Sequence, residues 1–378
     1  MSLNRGVVVD VVSSGARPIS VSSTIPLALV LTADAGVTAG THYFDSVKSA
    51  LADAGFAAAT DGNLLKYLKF GEDKYGLIIP LIVSVAHVNT IDPAIEKSNV
   101  ITAVNALATA PSVFGIRPDI IGVGDYAADI DVQNAVVATA DKLKARAFVD
   151  LDAIDNADAI VKRNLLGSRR VTPVFTNLMD WNTVLNTTDE YCASVVLAYL
   201  RASIDGSKDI GYSYSISNRV IPVSGVKTVR EFLAGFQDET DPLNDAQITS
   251  FINYSGIRTW NYQTCDIDPI WQDARRVRIF DLASFAVIDG IFWAVDRDLA
   301  ALDAALDSLR AFMANLVGQD VMLGFNVYLN KDLTTPTAIT NGEFYFTIEA
   351  QETPSPALIK VTFDRVDAYS SVVYERLA

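Results

Sequence analysis

The sequence predicts a doubly wound α/β domain followed by an α+β domain, with an extended strand-like arm at each end. Three observations carry this. Between about residues 25 and 212, short continuous apolar runs alternate with helical patterns, as a parallel sheet covered on both faces requires. After Gly211 that alternation stops, and Tyr212 to Asn218 leads through Pro222 and Gly225 into a region with a long helical stretch and strands near its end. Both termini are apolar: Gly6 to Val12 reads Gly-Val-Val-Val-Asp-Val-Val, and Leu358 to Val366 alternates with period two. Ile359, Val361 and Phe363 fall on one face of that last segment, and Lys360, Thr362 and Asp364 on the other. A half-buried strand has this period and needs an edge to pair with. Where the edge belongs to a second copy of the chain, the ends become connectors.

In chain order, the apolar runs at 27–31, 77–85, 120–123, 147–151 and 171–176 predict strands. Helical spacing covers 62–70, 92–108, 129–146, 156–165 and 189–204 between and after them. In the second region a helix is expected at 245–255, a turn-rich segment at 256–271 and helix from about 273 to 316. Leu299, Leu302, Leu306, Leu309 and Met313 recur there at steps of three and four, with Asp298, Asp303 and Asp307 off the stripe. Strands at 321–329, 344–350 and 358–366 close the chain. The boundaries that follow are an N-terminal arm at 1–22, the α/β domain at 23–212, the second domain at 213–356 and a C-terminal strand and arm at 357–378.

Composition narrows the function. With 45 acidic against 30 basic residues the formal net charge is −15, which argues against nucleic acid as a partner because phosphate binding needs a basic surface. Mean hydropathy is +0.24, yet the apolar runs at 77–86 and 285–295 are too short for a bilayer, so membrane insertion is not expected and subunit contacts are. The first residues, Met1 to Arg5, carry no export-signal pattern, and the product is expected to stay in the cytoplasm where it is made. Two cysteines, Cys192 and Cys265, make no disulfide framework.

Catalytic motifs are sparse. Gly122-Val123-Gly124-Asp125-Tyr126-Ala127 follows a strand and precedes a helix, as a dinucleotide-binding turn does, and supports an alternative reading as an α/β oxidoreductase or hydrolase. The turn lies deep in the domain rather than after the first strand, and a tight turn with Asp125 or Asp129 capping the helix needs only local propensities. His42 and His87 are the only histidines, no serine sits in a Gly-x-Ser-x-Gly elbow, and Asp150 with Asp152 is the one carboxylate pair at a strand end. Arg275-Arg276-Val277-Arg278, preceded by Arg258, is the densest basic cluster; it suits either an acidic partner surface or ion pairs with Asp266, Asp268 and Asp273.

The chain resembles the contractile tail sheath proteins of bacteriophages and of phage-tail-like bacteriocins. The residues carrying the resemblance are Gly6–Val11 with Gly15–Ile19, Leu68–Glu72 with Val83–Val85, Pro118–Ile121, Ala147–Asp150 and Ser217–Gly225. Gly256–Trp260, Asp268–Trp271 and Arg275-Arg276 follow in family order. The usual phrase Trp-Gly-Asn-Arg-Thr is altered here to Trp260-Asn261-Tyr262-Gln263-Thr264. The resemblance implies an outer α/β domain and an inner C-terminal domain facing a tail tube. It also implies arms that complete a β-sheet with neighbouring subunits, involving Val7, Val8, Val9 and Val11 at one end and Ile359, Val361, Phe363 and Val366 at the other. Implied partners are other copies in stacked six-fold rings, the tail tube protein, and baseplate and terminator proteins. Arg258, Arg275, Arg276, Arg278, Asp303 and Asp307 are the candidate tube-facing residues. No enzyme activity, cofactor, metal or nucleic-acid partner is implied. The implied location is a virion tail assembled in the host bacterial cytoplasm.

Overall fold

The computed structural model describes residues 17–22, 25–369 and 371–377. Val7, Val8, Val9 and Val11 of the expected N-terminal arm lie outside the described residues.

Six strands make the main sheet: β1 (Leu27–Ala33), β2 (Gly40–Phe44), β3 (Leu81–His87), β4 (Ile120–Val123), β5 (Arg146–Asp150) and β6 (Val171–Val174). Their order is β2-β3-β1-β4-β5-β6, all parallel except β2, which pairs antiparallel with β3 at the edge. The accompanying helices are α1 (Val47–Ala52), α2 (Ala54–Ala57), α3 (Leu64–Tyr75), α4 (Pro93–Ala106), α5 (Ala110–Phe114), α6 (Ile130–Leu143), α7 (Asn156–Arg163) and α8 (Ala193–Asp205). Side chains alternate across each strand, so two cores form. Leu27, Leu29 and Leu31 with Leu81, Val83 and Val85 pack with α3 and α8. Ala28, Val30, Ile82, Ile121, Ala147 and Val149 pack with α4 and α6. Burial on both faces explains why the five parallel strands read as unbroken apolar runs, whereas the half-buried edge strand β2 does not and was not expected from the sequence.

The helix expected from Asp189 begins at Ala193, because the preceding residues form a hairpin of β7 (Leu178–Asn182) and β8 (Thr187–Tyr191), extended by β9 (Gly225–Val226). Residues 245–255 also differ from expectation. The short helix α9 (Asp241–Asp245) ends where the longer one was predicted to start, and β10 (Ser250–Asn253) pairs with β11 (Ile257–Trp260). Cross-strand bonding and burial of Phe251 and Ile252 override the local helical spacing.

The long helical stretch is two helices, α10 (Ala274–Ile291) and α11 (Leu299–Gly318). Asp296, at φ 57, breaks the run, and Asp298 restarts it by accepting a hydrogen bond from the Ala301 N–H. Leu309, Phe312, Met313 and Leu316 of α11 are buried, whereas Leu299 is exposed, so the predicted stripe faces the core only beyond the first turns. The core that packs α8 on the sheet continues into Ile279 and Leu282 of α10 and these α11 residues. The hairpin β12 (Met322–Leu329) and β13 (Phe346–Glu352), with α12 (Pro336–Thr340) in its connection, follows, and α13 (Ser371–Leu377) lies near the end. No strand forms over 358–366.

Candidate assembly surfaces

The point where the sheet winding reverses, between β1 and β4, is where such folds bind ligands, and here the chain fills it with itself. A Cβ on Gly122 would lie 2.9 Å from the Ala198 Cβ, so this glycine lets α8 cross β4 closely. A Cβ on Gly124 would lie 2.5 Å from Asn63 Nδ2, and Asn63 Oδ1 in turn accepts the Thr32 N–H at 2.8 Å. Both glycines admit protein rather than a pyrophosphate. Asp34, just past β1, accepts from the Thr60, Gly36 and Asp61 N–H groups at 2.5, 2.7 and 3.0 Å, which hold its carboxyl down at about 2. A cleft of about 540 Å³ past β4 and β5 is lined by Asp125, Asp129 and Asp152, an unfavourable field for phosphates. Its one lysine, Lys162, is bound to Asp158 at 3.0 Å and to the Asp152 carbonyl.

The other catalytic candidates are dispersed. Asp150 is buried and caps α8 by accepting the Ser194 N–H at 2.8 Å; burial pushes its pKa up to about 7. Asp152 is exposed, so the two carboxylates do not converge, and no group of three or more potential metal ligands occurs among the described residues. His87 Nε2 meets the Val37 carbonyl at 2.8 Å, and His42 Nε2 meets that of Thr38 at the same distance. Cys192 and Cys265 are buried free thiols.

The basic cluster is the main correction among the site residues. Arg275 is 5% exposed and Arg278 is 3% exposed, so neither is available at the surface of the chain. Arg278 pairs with Asp205 at the end of α8 and donates to the Asp119 carbonyl at 3.2 Å. Arg275 donates to the Thr353 carbonyl and, at 3.3 Å, to that of Ser213. Half-exposed Arg276 pairs with Glu352 at 2.5 Å. Arg258 is also half-exposed and donates to the Tyr254 and Asn218 carbonyls at 2.7 and 3.0 Å, tying the turn of the β10–β11 hairpin to the segment at Asn218. Neither the Asp266 nor the Asp268 carboxylate is the partner of this cluster; Asp273 caps α10 and lies 3.8 Å from Arg275. Next to these residues, Asn261 takes φ 75, so asparagine supplies the left-handed turn at the position where the related phrase has glycine.

The acidic candidates on α11 and the apolar C-terminal segment stay open. Asp303 and Asp307 are exposed on α11, with Asp307 3.4 Å from Arg310. The C-terminal segment carries its alternating apolar face in the open, with Ile359 76%, Val361 71% and Phe363 96% exposed. A second open set is Ile288, Phe292, Val295 and Leu299 where α10 turns into α11; the first three fall in the apolar run at 285–295. Its signal was present as apolar residues straddling the helix break at Asp296 to Asp298.

No family model matches the chain. Over 374 residues it is 30% identical to a prophage major tail sheath protein of Pseudomonas aeruginosa, with 94% of each chain covered. It is 24% identical over 277 residues to the tail sheath protein of Escherichia phage P2, covering 71% of this chain and 67% of that one. Among solved structures, the contracted helical sheath of the anti-feeding prophage matches with a TM-score of 0.70 at 17% identity, over 97% of this chain and 100% of that one. The crystal structure of a sheath tail protein from Desulfitobacterium hafniense matches with a TM-score of 0.58 at 9% identity, over 92% of this chain and 100% of that one. The winding-reversal point is filled by the chain's own side chains, and apolar surface stays open on the single chain. The chain belongs to the family of contractile phage tail sheath proteins and is a sheath subunit, not an enzyme.

Proposed function

We propose that this chain polymerises in six-fold rings around a tail tube, through its two terminal segments, and contracts to drive the tube through a target envelope. The observation that carries the reading is the segment 358–366, strand-like in sequence and exposed in the single chain. The two-stranded β12–β13 sheet supplies a suitable acceptor, since each of its strands keeps one edge with no sheet partner among the described residues. An arm added to such an edge gains main-chain hydrogen bonds, and its alternate side chains give specificity. Residues 23–212 then form the outer domain and 213–356 the tube-facing one. Asp303, Asp307 and the apolar turn at Ile288–Leu299 are the open surfaces offered to the tube. Contraction without a bound fuel requires two alternative packings of the same subunits, with the energy held in their interfaces. Baseplate and terminator proteins would bound the sheath at its ends, in a virion tail assembled in the host cytoplasm.

The test is electron microscopy of the purified full chain beside a version ending at Ala357. Full-length protein should give tubes or rings and the truncated protein single particles of unchanged fold. Long tubes from the truncated protein would overturn the role of the arm.

A further inference from the structure

We propose that α10 is a tension strut: a pull on the N-terminal arm enters at one of its ends and a pull on the C-terminal arm leaves at the other. The inference rests on the reading that the arms join neighbouring subunits, and it deepens it by assigning the path that load takes inside each one.

The root of the N-terminal arm is fixed to the C-terminal end of α10 and to α11. The Arg17 guanidinium stacks over the Trp293 ring at 4.1 Å, and the Arg17 N–H donates to Ser308 Oγ at 2.8 Å. Ile19 is buried against Gly290, where an added Cβ would come within 2.5 Å of the Ile19 Cγ1. Trp293 is itself oriented by donating from Nε1 to the Gly290 carbonyl at 2.8 Å. The root of the C-terminal arm is fixed to the opposite end. Arg276 pairs with Glu352 and Arg275 donates to the Thr353 carbonyl, immediately before Pro354-Ser355-Pro356 begins the exposed tail. Between the two roots lie the 18 residues of α10, a rod of about 27 Å.

The same helix is clamped sideways to α8 and to the sheet. Arg278 pairs with Asp205, Arg170 makes a two-pronged contact with Asp281 at 2.8 Å on each prong, and Arg146 donates to the Ala274 carbonyl at 3.1 Å. Tension between the arms therefore bypasses the sheet, and the α/β body turns with the strut as a unit. The buried arginines that the sequence offers as partner contacts hold this strut in place.

The test pulls single full-length molecules by their two ends in an optical trap, with Gly290→Ala crowding one root and Glu352→Gln weakening the other. Each variant should first be shown to melt as cooperatively as the parent. The first rip should free only a short root, fewer than about 15 residues or roughly 50 Å of chain. Its lifetime at fixed force should fall about tenfold in each variant. In the double variant it should stay within about twofold of the shorter single-variant lifetime, because links in series fail at the weakest. A first rip that opens the β1–β6 sheet, unchanged lifetimes in both single variants, or a further large fall in the double variant would overturn the strut. Failure of the parent protein to build tubes would instead sink the assembly reading, without bearing on this measurement.

Discussion

β3 and residues 358–366 are both short, apolar and rich in β-branched or aromatic residues, yet they end in opposite environments. Leu81, Ile82 and Val83 of β3 are fully buried between β1 and β2, whereas Phe363 is almost wholly exposed. The difference lies in the neighbours, since strand-like composition becomes a strand only where an edge is offered. For β3 the edge is in the same chain; for the C-terminal segment the proposal places it in another.

The largest effect should come from the same substitution made in both places. Val83→Lys puts an unpaired ammonium among side chains with no water, a cost of several kcal/mol, and should leave no folded protein. Val361→Lys should leave the thermal melt of dilute protein unchanged and still abolish tubes, because an ammonium at an inward position of a docked strand meets the same penalty at the interface. Circular dichroism melts and negative-stain images separate the two. Tubes from Val361→Lys would mean that this face of the segment stays open in the assembly.

Next in size is the buried cluster that ties α10 to α8. Asp205 sits between Arg201 and Arg278, all three buried, and Arg201 also donates to the Gly211 and Tyr214 carbonyls at 2.8 and 2.6 Å. Asp205 is the carboxylate that ion-pairs with both buried guanidinium groups, and removing it leaves their charge largely uncompensated. Asp205→Asn should therefore cost about 3–5 kcal/mol by urea titration. A loss below about 1 kcal/mol would show that water reaches the site and that the cluster does not join the two regions rigidly.

These two tests also mark what was legible in the sequence. The five parallel strands of the sheet and the helices at 92–108 and 129–146 were readable because burial on both faces leaves a local trace, a continuous apolar run between helical spacings; the half-buried antiparallel edge strand β2, Gly40–Phe44, leaves no such run and was not. The role of the Arg275–Arg278 cluster was not, because its partners Asp205 and Glu352 are more than 70 positions away in either direction and only folding brings them close. Residues 250–253 were misread for a related reason, since their pairing partner β11 outweighs a locally helical pattern. The Gly122–Ala127 turn looked like a cofactor site because tight packing of α8 and Asn63 selects glycine just as a pyrophosphate does.

A smaller effect follows from Asp150. Its ordinary pKa near 3.8 is pushed up to about 7 by burial, opposed by the Ser194 N–H. The folded state therefore binds more protons than the unfolded state between about pH 4 and 7, and stability falls as pH rises through that window. The parent protein should lose about 2–3 kcal/mol between pH 5 and 8 that Asp150→Asn does not lose, since the neutral amide can still accept from Ser194. Parallel pH profiles for the two proteins in urea titrations would remove this carboxyl as the source. The effect belongs to the sheet rather than to the arm, so the minimum protein concentration for tube formation should shift with pH only as far as the folded fraction does.

The smallest intrinsic change should come from Asp303→Lys with Asp307→Lys on α11. Both side chains are exposed, and the Asp307–Arg310 pair at 3.4 Å is open to solvent, so the stability of the single chain should move by no more than about 0.5 kcal/mol. A tube contact made of such weakly paired charges must draw its strength from repetition around a ring and along a tail. Assembly on preformed tubes should then weaken, and more at low salt than at high salt, where the screening length falls to about 3 Å at 1 M and the charges hardly act on one another. Tube-free polymers, which depend on the arms, should form as before. Co-sedimentation with tubes at two ionic strengths reads both effects. Unchanged co-assembly at each would strike Asp303 and Asp307 from the tube-facing surface, leaving the apolar turn at Ile288, Phe292, Val295 and Leu299 as the remaining open candidate.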